Sequence, residues 1–255
     1  MFLKCTGIEV RKIYYEKIII SGRVVEVLKT YTKIDAKNTD RGPKEKATEE
    51  EMKKNNEREA IKKLTRIMNC NFVDGDLHVV LTYKKDKRPT PEKAKKEFSN
   101  FIKRVKRRYK KNKCKWVMVT EYKNTAIHHH LVINNIKDID VVKTVMEQWK
   151  MNGIVHVTPL YSRGNYKDLA EYFVKETKKT YKEHDGGHMQ RWTCSRNLSK
   201  PKVVVHKKKA KSWSPQPKAR KGYTIDNNSI VNGTNAFSGR QYQYYIMVKD
   251  GDKDG

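Results

Sequence analysis

The chain has 255 residues, with 57 Lys and Arg against 29 Asp and Glu, a formal net charge of +28. That length allows one domain of ordinary size with extensions, or two small ones, and the charge excess calls for a polyanion to screen it. Nucleic acid is the commonest such partner and a membrane surface the second candidate. Apolar runs are only a few residues long, as at Ile18–Ile20, which argues against a spanning helix and a signal-peptide core and predicts a soluble, cytoplasmic protein. Cys5, Cys70, Cys114 and Cys194 lie far apart without C-x-x-C spacing, which argues against a zinc ribbon or a disulfide framework.

In chain order, alternation through Ile18–Ile20 and Val25–Val27 around Ser21-Gly22 predicts a hairpin. The Glu/Lys/Ala-rich stretch from Lys44 to Met68, with Ala60, Leu64 and Ile67 at helical spacing, predicts a helix. A regular pattern follows. It predicts a strand at Leu77–Tyr83, a helix led by Pro89 and Pro91 through Phe98, Ile102 and Val105, and a strand at Trp116–Tyr122. After a short connection come a strand at Ile127–Asn134, a helix at Val141–Trp149, a strand at Ile154–Leu160 and a helix from Tyr166 to Lys179. This β-α-β-β-α-β order predicts an α+β fold, a split βαβ antiparallel sheet with helices on one face. The domains expected are an N-terminal hairpin-and-helix extension over 1–70, a central domain over 71–201 and a basic, largely flexible tail over 202–255.

Three histidines in a row, His128, His129 and His130, lie on the predicted strand Ile127–Asn134. Side chains two apart on a strand point the same way, so His128 and His130 share a face, while His129 joins the apolar face of Ile127, Leu131 and Ile133. Glu121, near the end of the preceding strand, falls close to the pair across a hairpin. Two imidazoles and one carboxylate suit a divalent cation such as Mg²⁺ or Mn²⁺. The plainer alternative is strand histidines and a strand-end charge without a shared task. On the last predicted helix Asp168, Tyr172, Lys175 and Lys179 form one stripe beside Leu169 and Phe173, with Asn165 as a predicted N-cap. A phenol with an ammonium one turn on is a credible nucleophile, and a Tyr anchoring a solvated helix edge is the alternative.

Other features invite weaker readings. His184 and His188 have helical metal-site spacing, but Gly186-Gly187 between them favours a loop, and Asp250–Gly255 reads as a solvated acidic end. The run from Arg104 to Lys111 is either a solvated face or a phosphate contact, and Tyr242, Tyr244 and Tyr245 either stack on bases or form a late strand.

Taken in order, the strand ending in Thr82-Tyr83, the His128–His130 motif and the Tyr172/Lys175 helix resemble the HUH endonucleases, specifically the single-tyrosine rolling-circle replication initiators (Rep) of plasmids, phages and mobile elements. The stretch Ser195-Arg196-Asn197-Leu198 is similar to the segment that closes the phage-type Rep domain. The resemblance implies an HUH/RRM-like nuclease domain in which Glu121, His128 and His130 hold Mg²⁺ or Mn²⁺, and in which Tyr172, assisted by Lys175, attacks single-stranded DNA at a replication origin. It implies DNA contacts for Thr82, Tyr83, Lys179 and Arg196, no use of ATP, no membrane, and reliance on the helicase and polymerase of a bacterial host. A relaxase shares the chemistry but places its tyrosine upstream of the histidines. The competing class is a non-catalytic, basic nucleic-acid-binding module whose RRM-like sheet stacks His and Tyr on bases.

Overall fold

The computed structural model describes residues 14–31, 48–109, 113–123, 126–161, 164–183, 191–210, 212–235 and 239–251. Two compact units divide the chain, one formed by Thr48–Lys200 and the other by Met1–Ala47 with Pro201–Gly255.

In the Thr48–Lys200 unit the strands are β3 (Leu77–Thr82), β4 (Trp116–Lys123), β5 (Ala126–Ile133), β6 (Val155–Pro159) and β7 (Thr193–Cys194). The helices are α1 (Glu49–Asn71), α2 (Pro91–Arg108), α3 (Val141–Trp149) and α4 (Lys167–Glu183). The sheet order is β6-β3-β5-β4-β7, every neighbouring pair antiparallel, so the fold is α+β with the split βαβ arrangement. Helix starts follow local chemistry. Thr48 and Glu51 form a reciprocal capping box on α1, Thr90 caps α2 with Pro91 in its first turn, and Asp140 caps α3.

Helices cover both faces of this sheet, not the single face expected from the sequence. Phe98, Phe101, Ile102 and Val105 of α2 and Val141, Val145 and Trp149 of α3 pack against Leu77, Val79, Leu81, Met118, Leu131 and Ile133. On the opposite face Leu64 and Met68 of α1 and Ala170, Phe173 and Val174 of α4 meet Val117, Val119 and Val132. The second layer forms because these three valines make the reverse of β4 and β5 apolar as well, and leaving it wet forgoes about 25 cal/mol per Å² of burial.

One glycine is required by close approach. The segment before β6 runs tightly along the end of β3, with Thr82 N–H donating to the Ile154 carbonyl at 3.0 Å and Lys84 N–H to that of Asn152 at 3.0 Å. A Cβ at Gly153 would overlap the Thr82 carbonyl, which also accepts the Trp149 indole N–H at 2.8 Å. Gly153→Ala is therefore expected to destabilise this unit by about 2–4 kcal/mol. Urea unfolding checks it, and an unchanged midpoint would show that the backbone yields freely there.

The second unit corrects the expectation of an N-terminal extension over 1–70 and a flexible tail beyond 201. Its strands are β1 (Tyr14–Ser21), β2 (Val24–Tyr31), β8 (Lys202–Lys208), β9 (Tyr223–Asn235) and β10 (Arg240–Lys249), in the order β8-β1-β2-β10-β9. The predicted hairpin is present as β1–β2, but its neighbours on both sides come from the far end of the chain. Ile18, Val25, Val27, Tyr245 and Met247 form its core. Trp213 packs against Tyr14 and Tyr31 at 5.1 and 4.8 Å, and the buried amide of Gln243 donates to the carbonyls of Ser214 and Pro215. The helix expected to accompany the hairpin, α1, belongs instead to the other unit. Tyr242, Tyr244 and Tyr245 are strand residues of β10, with the Tyr244 hydroxyl donating to Glu26 at 2.9 Å.

Candidate active site

Strand register assembles the polar cluster. Glu121 of β4 lies directly opposite His128 of β5, and His130 lies opposite Val119. Since β4 and β5 show Val117, Val119 and Val132 to α1 and α4, the alternation brings Glu121, His128 and His130 to that same face. The Glu121 carboxylate is buried, with Oε2 3.0 Å from Nε2 of His130 and 3.8 Å from Nδ1 of His128. Burial, reinforced by His128 alongside, pushes the His130 imidazole down to about 4, although the Glu176 carboxylate opposes the shift. A neutral imidazole next to a carboxylate is the form that can donate a lone pair to a cation.

Helix α4 brings the phenol to this cluster. Tyr172 is partly exposed, and its ring lies 5.3 Å from that of His130 at a steep angle of 84°. Burial, then Glu121 and Glu176, raises the Tyr172 phenol above its ordinary value, so its hydroxyl holds its proton. Lys175 and Asp168 are exposed on the same helix, as the stripe predicts, and Lys179 lies on α4, with its side chain outside the described residues. The helix begins at Lys167, which leaves Tyr166 rather than Asn165 immediately before it. Tyr166 is buried, its backbone N–H donates to the Asn69 side-chain oxygen at 2.9 Å, and its hydroxyl is directed to Asp74 at 3.4 Å.

His129 faces the other core. It is fully buried among Phe98, Tyr83 and Trp149, with Tyr83 Oη 3.1 Å from Nε2 and Thr120 Oγ1 3.0 Å from Nδ1. Tyr83 is thus a partner of His129 inside the protein, which corrects its expected place on DNA. Burial, then His130 and His128, pushes His129 down to about 3 from an ordinary 6.5, so the folded chain excludes a proton that the unfolded chain accepts. Stability from this neutral burial is complete above about pH 6.5 and is lost at about 1.4 kcal/mol per pH unit as pH falls from there toward about 3. His129→Gln is expected to flatten that acid limb by about one proton, read from urea unfolding across the window. An unaltered limb would mean that the imidazole is already protonated in the fold.

The remaining expected DNA contacts divide. Thr82 is partly exposed opposite His128, its hydroxyl donating to the Ile154 carbonyl at 3.1 Å, and Arg196 is exposed beyond β7. Its neighbours in the Ser195–Leu198 stretch and just after it are structural ties. Ser195 exchanges hydrogen bonds with the Trp116 backbone, and Ser199 exchanges two with the Asn71 amide. Arg104 is likewise committed to Gln148 through two hydrogen bonds of 3.0 Å. His184 and His188 lie outside the described residues.

Two residues without a sequence-assigned role join the cluster. His78 of β3 has Nε2 3.4 Å from Nδ1 of His130, and Glu176 of α4 is buried within electrostatic reach of both His130 and Tyr172. The signals were available: His78 shares a strand face with Thr82, and Glu176 lies one helical turn after Tyr172.

Residues 76–181 match the replication-associated protein family of the ORF2 type. The match covers about two fifths of the chain, from the start of β3 into α4, and includes Glu121, His128, His130, Tyr172 and Lys175. It links this part of the chain to replication initiators of the Rep type. No curated protein and no solved structure matches the chain.

As a test of metal fit, no group of three or more His, Cys, Asp or Glu among the described residues forms a ready metal-binding cluster. Glu121 and His130 instead satisfy each other through the 3.0 Å contact, which occupies the atoms a cation would take. Their chemistry, one carboxylate and two imidazoles within 3.0 and 3.8 Å of it, fits a divalent ion once that contact opens. No helix among the described residues is long and apolar enough to cross a membrane.

Proposed function

We propose that the chain is a rolling-circle replication initiator that nicks and rejoins single-stranded DNA through a tyrosine–phosphate ester. The observation that carries this reading is the approach of the Tyr172 phenol to His130 and Glu121, on a segment matching a replication-associated family. The +28 net charge supplies affinity for the phosphate backbone.

Glu121, His128 and His130 would hold Mg²⁺ or Mn²⁺. A divalent ion bound there would draw charge from the non-bridging oxygens of the scissile phosphate. Tyr172 Oη attacks phosphorus as its proton passes to a base, for which the nearby Glu121 and Glu176 carboxylates are candidates. The bond from phosphorus to the 3′ oxygen breaks, that oxygen gains a proton, and the 5′-phosphate remains on Tyr172. Lys175, one turn on and exposed, lends positive charge to the same helix face. Rejoining reverses the exchange without ATP. Thr82 and Arg196, both on accessible surface, serve the bound strand, and Lys179 continues the Tyr172/Lys175 stripe of α4.

The non-catalytic RRM-like reading needs a sheet face open to bases. Both faces of this sheet carry helices, which favours the nuclease. Incubation with labelled single-stranded oligonucleotides and Mn²⁺, followed by denaturing electrophoresis, tests the proposal. A protein band shifted by covalently attached DNA is expected; binding without any adduct across a broad set of sequences would return the chain to the binding class.

A further inference from the structure

His78 reaches His130 from the adjacent strand β3, on the side away from Glu121. Its Nε2 stands 3.4 Å from Nδ1 of His130, with ring centroids 5.6 Å apart and planes inclined by 22°. Phe173 of α4 packs against the His78 ring at 5.5 Å, and the same Phe173 packs against His130 at 5.9 Å, so both imidazoles are held by one buried side chain.

We propose that His78 is a positioning residue that accepts the Nδ1 proton of His130 and thereby turns the Nε2 lone pair of His130 toward a divalent cation. This rests on the nuclease reading above. A neutral imidazole carries one proton between two nitrogens. While Nε2–H of His130 donates to Glu121, its Nδ1 is an acceptor, and the N–H pointing at it belongs to Nε2 of His78. Nε2 of His130 can act as a ligand only when the proton is on Nδ1, where it points at Nε2 of His78. That nitrogen must then offer a lone pair, with the His78 proton on its own Nδ1. Both rings exchange tautomers and neither changes charge. The 3.4 Å separation is at the long end for such a bond, so its contribution lies in fixing tautomer and ring orientation, as outer partners of metal-bound imidazoles do.

The test is Mn²⁺ titration calorimetry on the full chain as wild type, His78→Leu, His78→Gln and His130→Ala, with circular dichroism to verify folding. His78→Leu is expected to weaken Mn²⁺ binding by about 10- to 100-fold. His78→Gln, whose amide oxygen can accept from Nδ1, should recover most of the loss, a rescue that simple packing would not give. In nitrogen-correlated spectra of the wild-type imidazoles, Mg²⁺ should move His130 from the Nε2–H to the Nδ1–H form. That readout stands even if His78→Leu fails to fold, and His130 keeping Nε2–H with Mg²⁺ bound overturns the role of His78. So does a folded His78→Leu chain that binds Mn²⁺ as tightly as wild type when His130→Ala does not. Wild-type protein that takes up no Mn²⁺ overturns the metal reading itself and this inference with it.

Discussion

Tyr172→Phe is expected to abolish the covalent DNA adduct and to lower strand cleavage by on the order of a thousandfold or more, because it removes the attacking oxygen and nothing else. The ring remains, so its packing at 5.3 Å from His130 persists. DNA affinity and Mn²⁺ uptake should hold to within about twofold, the mark of an interaction made only in the reaction. Tyr166→Phe is the matched control. It loses a hydroxyl directed at Asp74 in the α1/α4 core and should cost about 1 kcal/mol of stability while keeping the adduct. Lys175→Ala should slow cleavage by on the order of tenfold, since an exposed ammonium contributes less than a buried donor. Mass spectrometry of the DNA-linked peptide decides the assignment. An adduct on any tyrosine other than Tyr172 would remove α4 from the chemistry.

The contrast between Tyr172 and Tyr166 shows how far the sequence alone reaches. Helical periodicity places the two on different sides of α4, and alternation on β5 separates His129 from His128 and His130. Both patterns are local and survive folding because each side of the element has its own core to meet. Tyr83 illustrates the limit. Its position at the end of a Thr-Tyr strand suggests a DNA contact, but its hydroxyl meets His129, and 46 positions separate the two in sequence. The late strands β8 to β10 were illegible for a related reason. Lys202, His206 and Lys207 with Val203 and Val205 on exposed strand positions resemble an unstructured basic segment. Their order comes from pairing with a hairpin near the other end of the chain, a contact that no window of sequence contains. The second helical layer was missed because Val117, Val119 and Val132 are spread over two strands and become a continuous apolar surface only when β4 and β5 pair.

Glu121→Gln is expected to cut cleavage by at least on the order of a hundredfold, with DNA binding retained. The amide keeps the shape of the carboxylate and removes the charge that makes the cluster attractive to a divalent ion. The two imidazoles should respond unequally. His130 is buried and 3.0 Å from the carboxylate, whereas His128 is more exposed and 3.8 Å away, so His130→Ala should be the more damaging of the pair. It also leaves the buried carboxylate without its partner, at a cost of about 1–3 kcal/mol that thermal unfolding will register. His128→Ala separates the effects: the fold should be unperturbed, and cleavage should recover as Mn²⁺ is raised, because a weakened site can still be filled by mass action. Chelation of wild-type protein should reproduce the loss of cleavage without releasing the DNA, since attraction between a +28 chain and a polyanion does not depend on one bound cation. His129→Ala supplies the opposite signature. It opens a cavity among Phe98, Tyr83 and Trp149 and should lower stability by about 2–4 kcal/mol, yet below its melting temperature it should keep the wild-type metal requirement. Undiminished cleavage by Glu121→Gln, or cleavage that persists in excess chelator, would refute a metal-assisted reaction at this cluster.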